Sequence, residues 1–407
     1  MVIAYKYPPY SGVGAFRWTK ISKYLARLGY EIHVVTVDWE YSGPNTNVQD
    51  TEHDNIHIHR IPSGYPQKLR YTKIRNRYIN FIRNVIFSRF INKYIYWDDE
   101  AQRWGKYLLP FAEGLIRSER ITHVIATGHP FQANYWAAQL KKRCPSVKLI
   151  QDFRDPWVQN PSYRQSKSPK TLSKAEKYLN ESLRYADLCV CVSNGLVEEY
   201  RRYDSTKKFV VITNGYDDET LQKIGSTSLH LDKAPGKIYL THIGNVTNGR
   251  DLMLARLFDA LSDDENIIFC FAGILPAWIF KSYKKLTEQH RIIDFGIVSP
   301  EEALSIVQQS DIALQVTAEK VPYALSTKVF EYAALQKPIL SVNSGGDIDT
   351  LLLENQWGVS IHYQDPDFSN KVKQCIREIK PIVNISSLEK YSYKSIARQY
   401  SQLIQDV

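Results

Sequence analysis

The strongest constraint on this chain is a rhythm that runs through it twice: short β-branched or apolar runs alternating with amphipathic helical stretches. In the first half VIAYKY, EIHVVTV, IHIHRI, HVIATG, VKLIQDF, LCVCVS and FVVITNG read as strands. AFRWTKISKYLARLG and FQANYWAAQLKKR read as helices between some of them, and KTLSKAEKYLNESLRYA carries spaced Leu and Tyr as a helix face. The second half repeats the rhythm. IYLTHIG, IIFCFAG, IIDFG, DIALQV, PILSV and VSIHY read as strands, and DLMLARLFDALS, PEEALSIVQQS and TKVFEYAALQ as helices. Strands separated by helices of this length form parallel sheets wrapped by their crossovers. The expected class is α/β, with two Rossmann-like domains.

A length of 407 residues suits two domains at about 100–200 residues each. The 43 % hydrophobic content gives each half a core and argues against disorder. DDETLQKIGSTSLHLDKAPGK holds Pro and Gly without an apolar period, so it reads as a linker. The expected division is a first domain at 1–217, a linker at 218–235 and a second domain at 236–385. Residues 386–407 carry apolar residues at helical spacing and are expected to pack back on the first domain.

The net charge of +9 suits anionic partners: a nucleotide diphosphate, an anionic membrane surface or nucleic acid. No nucleic-acid motif is present, so nucleic acid is not expected. No apolar run reaches about 18 residues, and the start MVIAYKYPPYSG lacks the pattern of a signal peptide. The expected location is the cytoplasm. The five cysteines are scattered, without a CxxC pair or Cys/His spacing that suggests zinc. Cys189 and Cys191 read as buried residues on one face of a strand.

Open parallel sheets bind ligands at the carboxyl ends of their strands. Four loops there carry candidate chemistry. In YPPYSGVGAFRWTK, Gly12 and Gly14 permit close backbone approach at a helix start, and Arg17 suits an anion. In THIGNVTNGRDLMLARL, Gly244 and Asn245 follow a strand and Arg250 opens a helix, an arrangement that can grip a diphosphate. Asn248 or Thr247 as a helix cap is the plainer alternative. In ALSTKVFEYAALQKPIL, Ser326 and Thr327 resemble N-caps, and Lys328 and Glu331 share one helix face. A lysine at a helix start opposes the dipole, which makes sense if an anion binds there. A surface ion pair is the plainer reading. LIQDFRDPW places Asp152, Arg154 and Asp155 after a strand, to orient sugar hydroxyls or to form a salt-bridge cluster. HVIATGHPF adds His129.

Together PPYSGVGAFR, DFRDPW, VSNGL, ITNGYD, HIGNVTNGRD, DFGIVSPEEA and STKVFEYAALQKPIL resemble the retaining glycosyltransferases of family 4, in the family's order and over nearly the whole chain. The resemblance implies the GT-B fold, two Rossmann-like domains facing a central cleft. It implies a nucleotide-sugar donor, by family frequency a UDP-sugar, held by the second domain, and a saccharide or lipid-linked saccharide acceptor at the first. Arg250 and Lys328 would contact the diphosphate and stabilise the leaving group. Glu331 would bind the ribose, Gly296 and Ile297 would lie beside the base, and Gly12 and Gly14 would face the phosphates. Arg154, Asp155 and His129 are the catalytic candidates of the first domain. No cofactor or metal is expected, and the DD pairs at 98–99, 217–218 and 263–264 read as surface carboxylates. The pattern departs from the family at two places. Tyr323 stands where many members have a first glutamate, with Glu319 near but wrongly spaced, and DFRD stands where many have a histidine.

LRYTKIRNRYINFIRNVIFSRFINKYIYW, residues 69–97, mixes Lys and Arg with aromatic and aliphatic residues at helical spacing. Such a helix suits an anionic membrane surface, or else packs its apolar face on the domain core. It is expected to place a surface-polysaccharide enzyme on the inner face of the cell membrane. A non-catalytic sugar-binding protein and a nucleotide-sugar epimerase are the competing readings on the same scaffold.

Overall fold

Among the described residues every strand pair is parallel, so each strand must be reached by a crossover. The computed structural model describes residues 1–10, 12–39, 47–71, 74–227, 229–247, 249–319, 321–382 and 386–407. They form two units, Met1–Ile212 with Ile396–Val407, and Thr213–Ser395.

The first unit holds β1 (Val2–Ala4), β2 (Ile32–Val37), β3 (Ile56–Ile61), β4 (His123–Gly128), β5 (Lys148–Phe153), β6 (Leu188–Cys191) and β7 (Phe209–Val211). They make one seven-stranded sheet in the order β3-β2-β1-β4-β5-β6-β7. Its central strands are buried on both faces, which is why they read as mainly apolar and β-branched runs. The helix Gly105–Ser118 lays Leu108, Ala112 and Leu115 against Ile3, Val35 and Ala126. Cys189 and Cys191 are buried free thiols in β6.

One buried ionic cluster ties this unit together. Asp152, on β5, is fully buried and accepts from Trp18 Nε1 at 2.6 Å, Thr127 Oγ1 at 3.0 Å and Tyr400 Oη at 2.8 Å. Arg17 lies beside it at 3.3 Å and also donates to the Ile212 carbonyl at 2.9 Å. The group therefore joins the helix Val13–Arg27, strands β4 and β5, and the terminal helix Tyr393–Asp406. Arg17, read from sequence as suited to an external anion, instead faces inward, 2 % exposed. Asp152 is likewise spent inside the fold. Burial alone raises its pKa, but Arg17 and the bond from Trp18 outweigh that and hold it below the usual carboxylate range.

The second unit repeats the design with β8 (Ile238–Ile243), β9 (Ile267–Ala272), β10 (Ile292–Asp294), β11 (Ile312–Val316), β12 (Ile339–Asn343) and β13 (Gly358–His362). Their order is β10-β9-β8-β11-β12-β13. The expected linker at 218–235 is more structured than its polarity suggests. It contains the helix Asp218–Gln222, and Ile224 and Leu231 enter the second unit's core. The terminal segment also differs from one continuous helix. Leu388 and Tyr391 belong to the second unit's core, and the helix starts only at Tyr393.

Two of the acidic pairs read as surface features are not. Asp98 is buried and accepts from Trp157 Nε1 and from Tyr163 Oη. Asp99 accepts the Gln132 backbone N–H at 3.0 Å and so caps the helix Gln132–Arg143. Asp217 is buried as well. Local polarity hides such roles because the donors come from distant segments.

The basic–aromatic segment is broken into the helices Gln67–Tyr71 and Arg77–Ile86, the second continuing as a wider π-type turn, Phe87–Ile95. The Asn76 side chain caps Arg77–Ile86 by accepting from Tyr78 and Ile79. No described residue of that helix is buried. Among the described residues no helix is long and apolar enough to cross a membrane.

The Asp152 cluster yields a stability test. Asp152→Ala leaves the Arg17 charge buried without its partner and should cost about 3–5 kcal/mol. Tyr400→Phe, which removes one hydrogen-bonding hydroxyl, should cost about 1 kcal/mol. Because the folded pKa of Asp152 is depressed, its contribution is present above the ordinary carboxylate value and lost as pH falls through the depressed one. Urea unfolding followed by tryptophan fluorescence checks both variants. Equal, small losses would remove Asp152 from its central place.

Candidate active site

In an open parallel sheet the strand order reverses once, and the helices on either side of the reversal leave to opposite faces. In the second unit the reversal lies between β8 and β11. The loops and helices that follow these strands hold Gly244, Asn245, Arg250, Ser326, Thr327, Lys328 and Glu331.

Gly244 follows β8 with φ +91°, a left-handed conformation that suits glycine. A Cβ there would lie 2.3 Å from Lys328 Nζ, so the ammonium rests against this stretch of backbone. Gly273, after β9, packs equally closely on Gly244. Asn245 accepts the Ile274 N–H at 3.1 Å, which fixes the loop after β8 to the loop after β9. Arg250 begins the helix Arg250–Leu261, whose N-cap Gly249 has no side chain to offer as a cap. Asn248 lies outside the described residues. The Thr247 carbonyl accepts from Arg250 at 3.4 Å.

Lys328 is in the first turn of the helix Thr327–Ala334. Ser326 occupies the N-cap position, yet its hydroxyl makes no capping hydrogen bond. The helix start therefore keeps N–H groups for another acceptor. Lys328 is half-buried and its pKa is pushed down to about 8. Loss of hydration is the larger cause and the Arg250 charge the second, with Glu331 acting the other way. Loss of hydration also lowers the Arg250 pKa. Two cations held close at two helix starts are placed to bind an anion such as a diphosphate.

Sequence reading passed over the floor of this site. His242, on β8, is fully buried, and its Nδ1 lies 2.9 Å from the Leu314 carbonyl. Burial, followed by the charges of Lys328 and Arg250, pushes its pKa well down, so the ring stays neutral beneath them. In the sequence, IYLTHIG shows only a strand pattern, and nothing local marks His242. Gly296 follows β10 with φ +66°, and its carbonyl accepts the Gly273 N–H at 2.7 Å. The next residue, Ile297, is 81 % exposed, an apolar ledge at the same edge of the sheet. Tyr323 is buried and offers no carboxylate. Glu319 is exposed and accepts from Tyr363 Oη at 2.7 Å.

The first unit reverses between β1 and β4. Here Lys6, His129 and Arg154 gather at the carboxyl ends of β1, β4 and β5. Lys6 Nζ lies 3.4 Å from His129 Nδ1 and 3.2 Å from Glu100. Arg154 donates to the carbonyls of Gly128 and Gly14, each at 2.7 Å. The His129 pKa is pushed down by lost hydration and then by the charges of Lys6 and Arg154. Gly12 is the N-cap of Val13–Arg27 and supplies no side-chain cap. Asp155 is exposed, and its backbone carbonyl accepts from Tyr200. Lys6 was missed because VIAYKY reads as one strand, whereas β1 ends at Ala4.

Residues 12–215, half of the chain, match the family model described as a glycosyl transferase 4-like domain. The chain belongs to this family. No curated protein matches the sequence significantly. Solved structures match over the whole chain. Sucrose-phosphate synthase from Thermosynechococcus elongatus has a TM-score of 0.67 at 14 % identity, over 100 % of this chain and 98 % of that one. A glycosyltransferase from Rickettsia africae ESF-5 has 0.64 at 15 %, over 100 % and 97 %. An α,α-trehalose-phosphate synthase (UDP-forming) from Burkholderia vietnamiensis has 0.59 at 10 %, over 100 % and 99 %. At these identities the likeness shows the fold, which is GT-B with two Rossmann-like domains. This glycosyl transferase 4-like protein is a glycosyltransferase.

The depressed lysine gives the glycosyltransferase a pH signature. Free Lys328 loses its proton near pH 8, whereas a bound diphosphate holds it on. Affinity for a nucleoside diphosphate should therefore be level below about pH 8 and fall above it, by up to about tenfold per pH unit. In the free enzyme the sign is opposite: the folded state gives up this proton before the unfolded one, so stability rises with pH between about 8 and the ordinary 10.5. Lys328→Ala should weaken diphosphate binding by about 10–100-fold and flatten its pH profile. Isothermal titration at several pH values measures both effects. An unchanged affinity in the variant would remove Lys328 from the site.

Proposed function

We propose that this glycosyltransferase transfers a sugar, with retention of anomeric configuration, from a UDP-sugar to a saccharide or lipid-linked saccharide in surface polysaccharide assembly. The observation that carries the reading is the Lys328–Arg250 pair, two mutually repelling cations at two helix starts without side-chain caps, with the Lys328 ammonium resting against Gly244. Breaking the bond from the anomeric carbon to the diphosphate oxygen leaves negative charge on the diphosphate. Fixed cations and oriented N–H groups stabilise that charge as it develops, which lowers the barrier. Ser326 and Thr327 line the same helix start, Glu331 accepts from the ribose hydroxyls, and the base lies along Gly296 and Ile297. The resemblance to retaining family 4 enzymes supports retention, and the UDP-forming relative in fold supports UDP.

At the acceptor side, Lys6, Arg154 and the neutral His129 contact the incoming hydroxyl and its neighbours, with Gly12, Gly14 and Asp155 at the same edge of the first sheet. Tyr323 leaves no carboxylate at the position where many family members carry one, so recognition of the transferred sugar falls to other groups of the donor loop. No metal is required by this scheme, since Lys328 and Arg250 supply the charge.

A lipid-linked acceptor calls for a membrane-facing surface, and residues 69–97 have its physical character. Tyr78 is 72 % exposed and Phe81 65 %, with Ile79, Ile82, Phe90 and Tyr94 exposed near them. Arg75, Arg77 and Arg89 are exposed in the same segment, and the sequence between Asp54 and Asp98 has no acidic residue. Apolar side chains of this size on a basic helix suit the boundary of an anionic bilayer.

Two experiments test the reading. In a thermal-shift panel of UDP-, GDP- and ADP-sugars, a UDP-sugar should stabilise the wild type and lose its effect in Lys328→Ala. A panel without any nucleotide response would contradict the donor site. In co-sedimentation at low salt, vesicles containing phosphatidylglycerol should retain the protein and pure phosphatidylcholine vesicles should not. A Phe81→Ser, Phe90→Ser double variant should lose the interaction while keeping its nucleotide response. Equal binding to both vesicle types, or none, would contradict the membrane assignment and leave the donor assignment standing.

A further inference from the structure

The opposite edge of the first sheet carries a cluster that the sugar chemistry does not use. Strand alternation puts Glu31 and His33 on one face of β2 and its approach, and His57 and His59 on one face of β3. Parallel register sets His33 directly beside His57. Glu31 Oε1 lies 3.7 Å from His33 Nε2 and 3.4 Å from His57 Nε2. The three candidate ligand atoms all lie within 4.8 Å of one another.

We propose that Glu31, His33 and His57 form a transition-metal site, with His59 as a positioning residue behind His33. Around a tetrahedral zinc ion with ligand bonds of about 2.0–2.2 Å, neighbouring ligand atoms stand roughly 3.3–3.6 Å apart. The two distances from Glu31 already fall in or near that range, so side-chain rotation alone brings the set together. The mobility needed is on the correct residues: Glu31 and His57 are exposed, while His33 is buried.

His33 is also oriented as metal-binding histidines are. Its Nδ1 lies 3.1 Å from His59 Nε2, and the two rings stack with an interplanar angle of 7°. When His33 Nδ1–H donates to His59, its Nε2 lone pair is left for the ion, with His59 in the second-layer place that a carboxylate or carbonyl fills around other metal-bound imidazoles. Two imidazoles and one carboxylate suit Zn²⁺, Co²⁺ or Ni²⁺ and leave a position for water. The sequence offers no familiar ligand spacing, because the ligands come from two strands and meet only through register.

The site lies at the amino ends of β2 and β3, whereas Lys6, His129 and Arg154 lie at the carboxyl edge. Six residues of strand separate the two edges by about 20 Å. The ion is therefore structural. It ties the edge strand β3 to β2 and leaves the transfer reaction alone, so the inference is independent of the proposed function.

The test uses the full-length, untagged protein after chelator treatment and dialysis. Isothermal titration with ZnCl₂ should show saturable uptake of a single equivalent, with Tm raised by a few degrees at saturation. Co²⁺ should give the visible absorption of a low-coordinate site. His57→Ala and Glu31→Ala should each weaken zinc binding by roughly tenfold or more, with the metal-free Tm nearly unchanged because both side chains are exposed. His59→Gln should weaken it less. Absence of saturable uptake by the wild type, or uptake unchanged in both ligand variants, would overturn the proposal.

Discussion

A parallel sheet whose strand order turns back on itself cannot cover its own point of reversal. The two strands on either side send their helices to opposite faces, and the gap between those helices is left lined by backbone amides and helix starts. Both units obey this constraint, between β1 and β4 and between β8 and β11. The glycines, the cations and the uncapped helices all follow from it. Gly244 is small because Lys328 rests on it, and Gly273 is small because Gly244 does. The buried His242 forms a neutral floor that brings no acid to compete for the two charges above it.

Two arginines at similar places in the two sheets have opposite surroundings. Arg17 and Arg250 each lie early in the helix that follows the first strand of their sheet. Arg17 is turned inward onto Asp152, with Trp18, Thr127 and Tyr400 filling the other acceptor positions of that carboxylate. Its charge is spent on holding the terminal helix to β5. Arg250 is only half-buried and faces another cation, Lys328. Like charges held together raise the free energy until an anion joins them, so the second arrangement makes sense as a binding site and the first as a clasp.

Much of this was legible in the sequence, for a definite physical reason. Strands buried on both faces are rich in apolar and β-branched residues, so the central runs stood out, and the helices between them required parallel pairing. The loops that carry Gly244, Arg250 and Lys328 stood out because glycines and helix-start residues at strand ends are local sequence features. What stayed hidden depended on long-range contact. Arg17 looked like an anion ligand because Asp152 and Tyr400 lie far along the chain. Asp98 and Asp99 looked like surface acids because their donors come from Gln132, Trp157 and Tyr163. The segment 218–235 looked like a linker because its few apolar residues, Ile224 and Leu231, follow no period. Lys6 was concealed inside an apparent strand, and the pairing of His33 with His57 exists only in the register of β2 and β3.

The central claim is that one diphosphate is gripped by Lys328, Arg250 and the start of the helix Thr327–Ala334. A crystal structure of the enzyme with UDP tests it most directly. The expected density places diphosphate oxygens within hydrogen-bonding distance of Lys328 Nζ, the Arg250 guanidinium and the N–H groups of that first turn, with the ribose beside Glu331. A diphosphate bound instead by Lys6 and Arg154, with Lys328 untouched, would contradict the account.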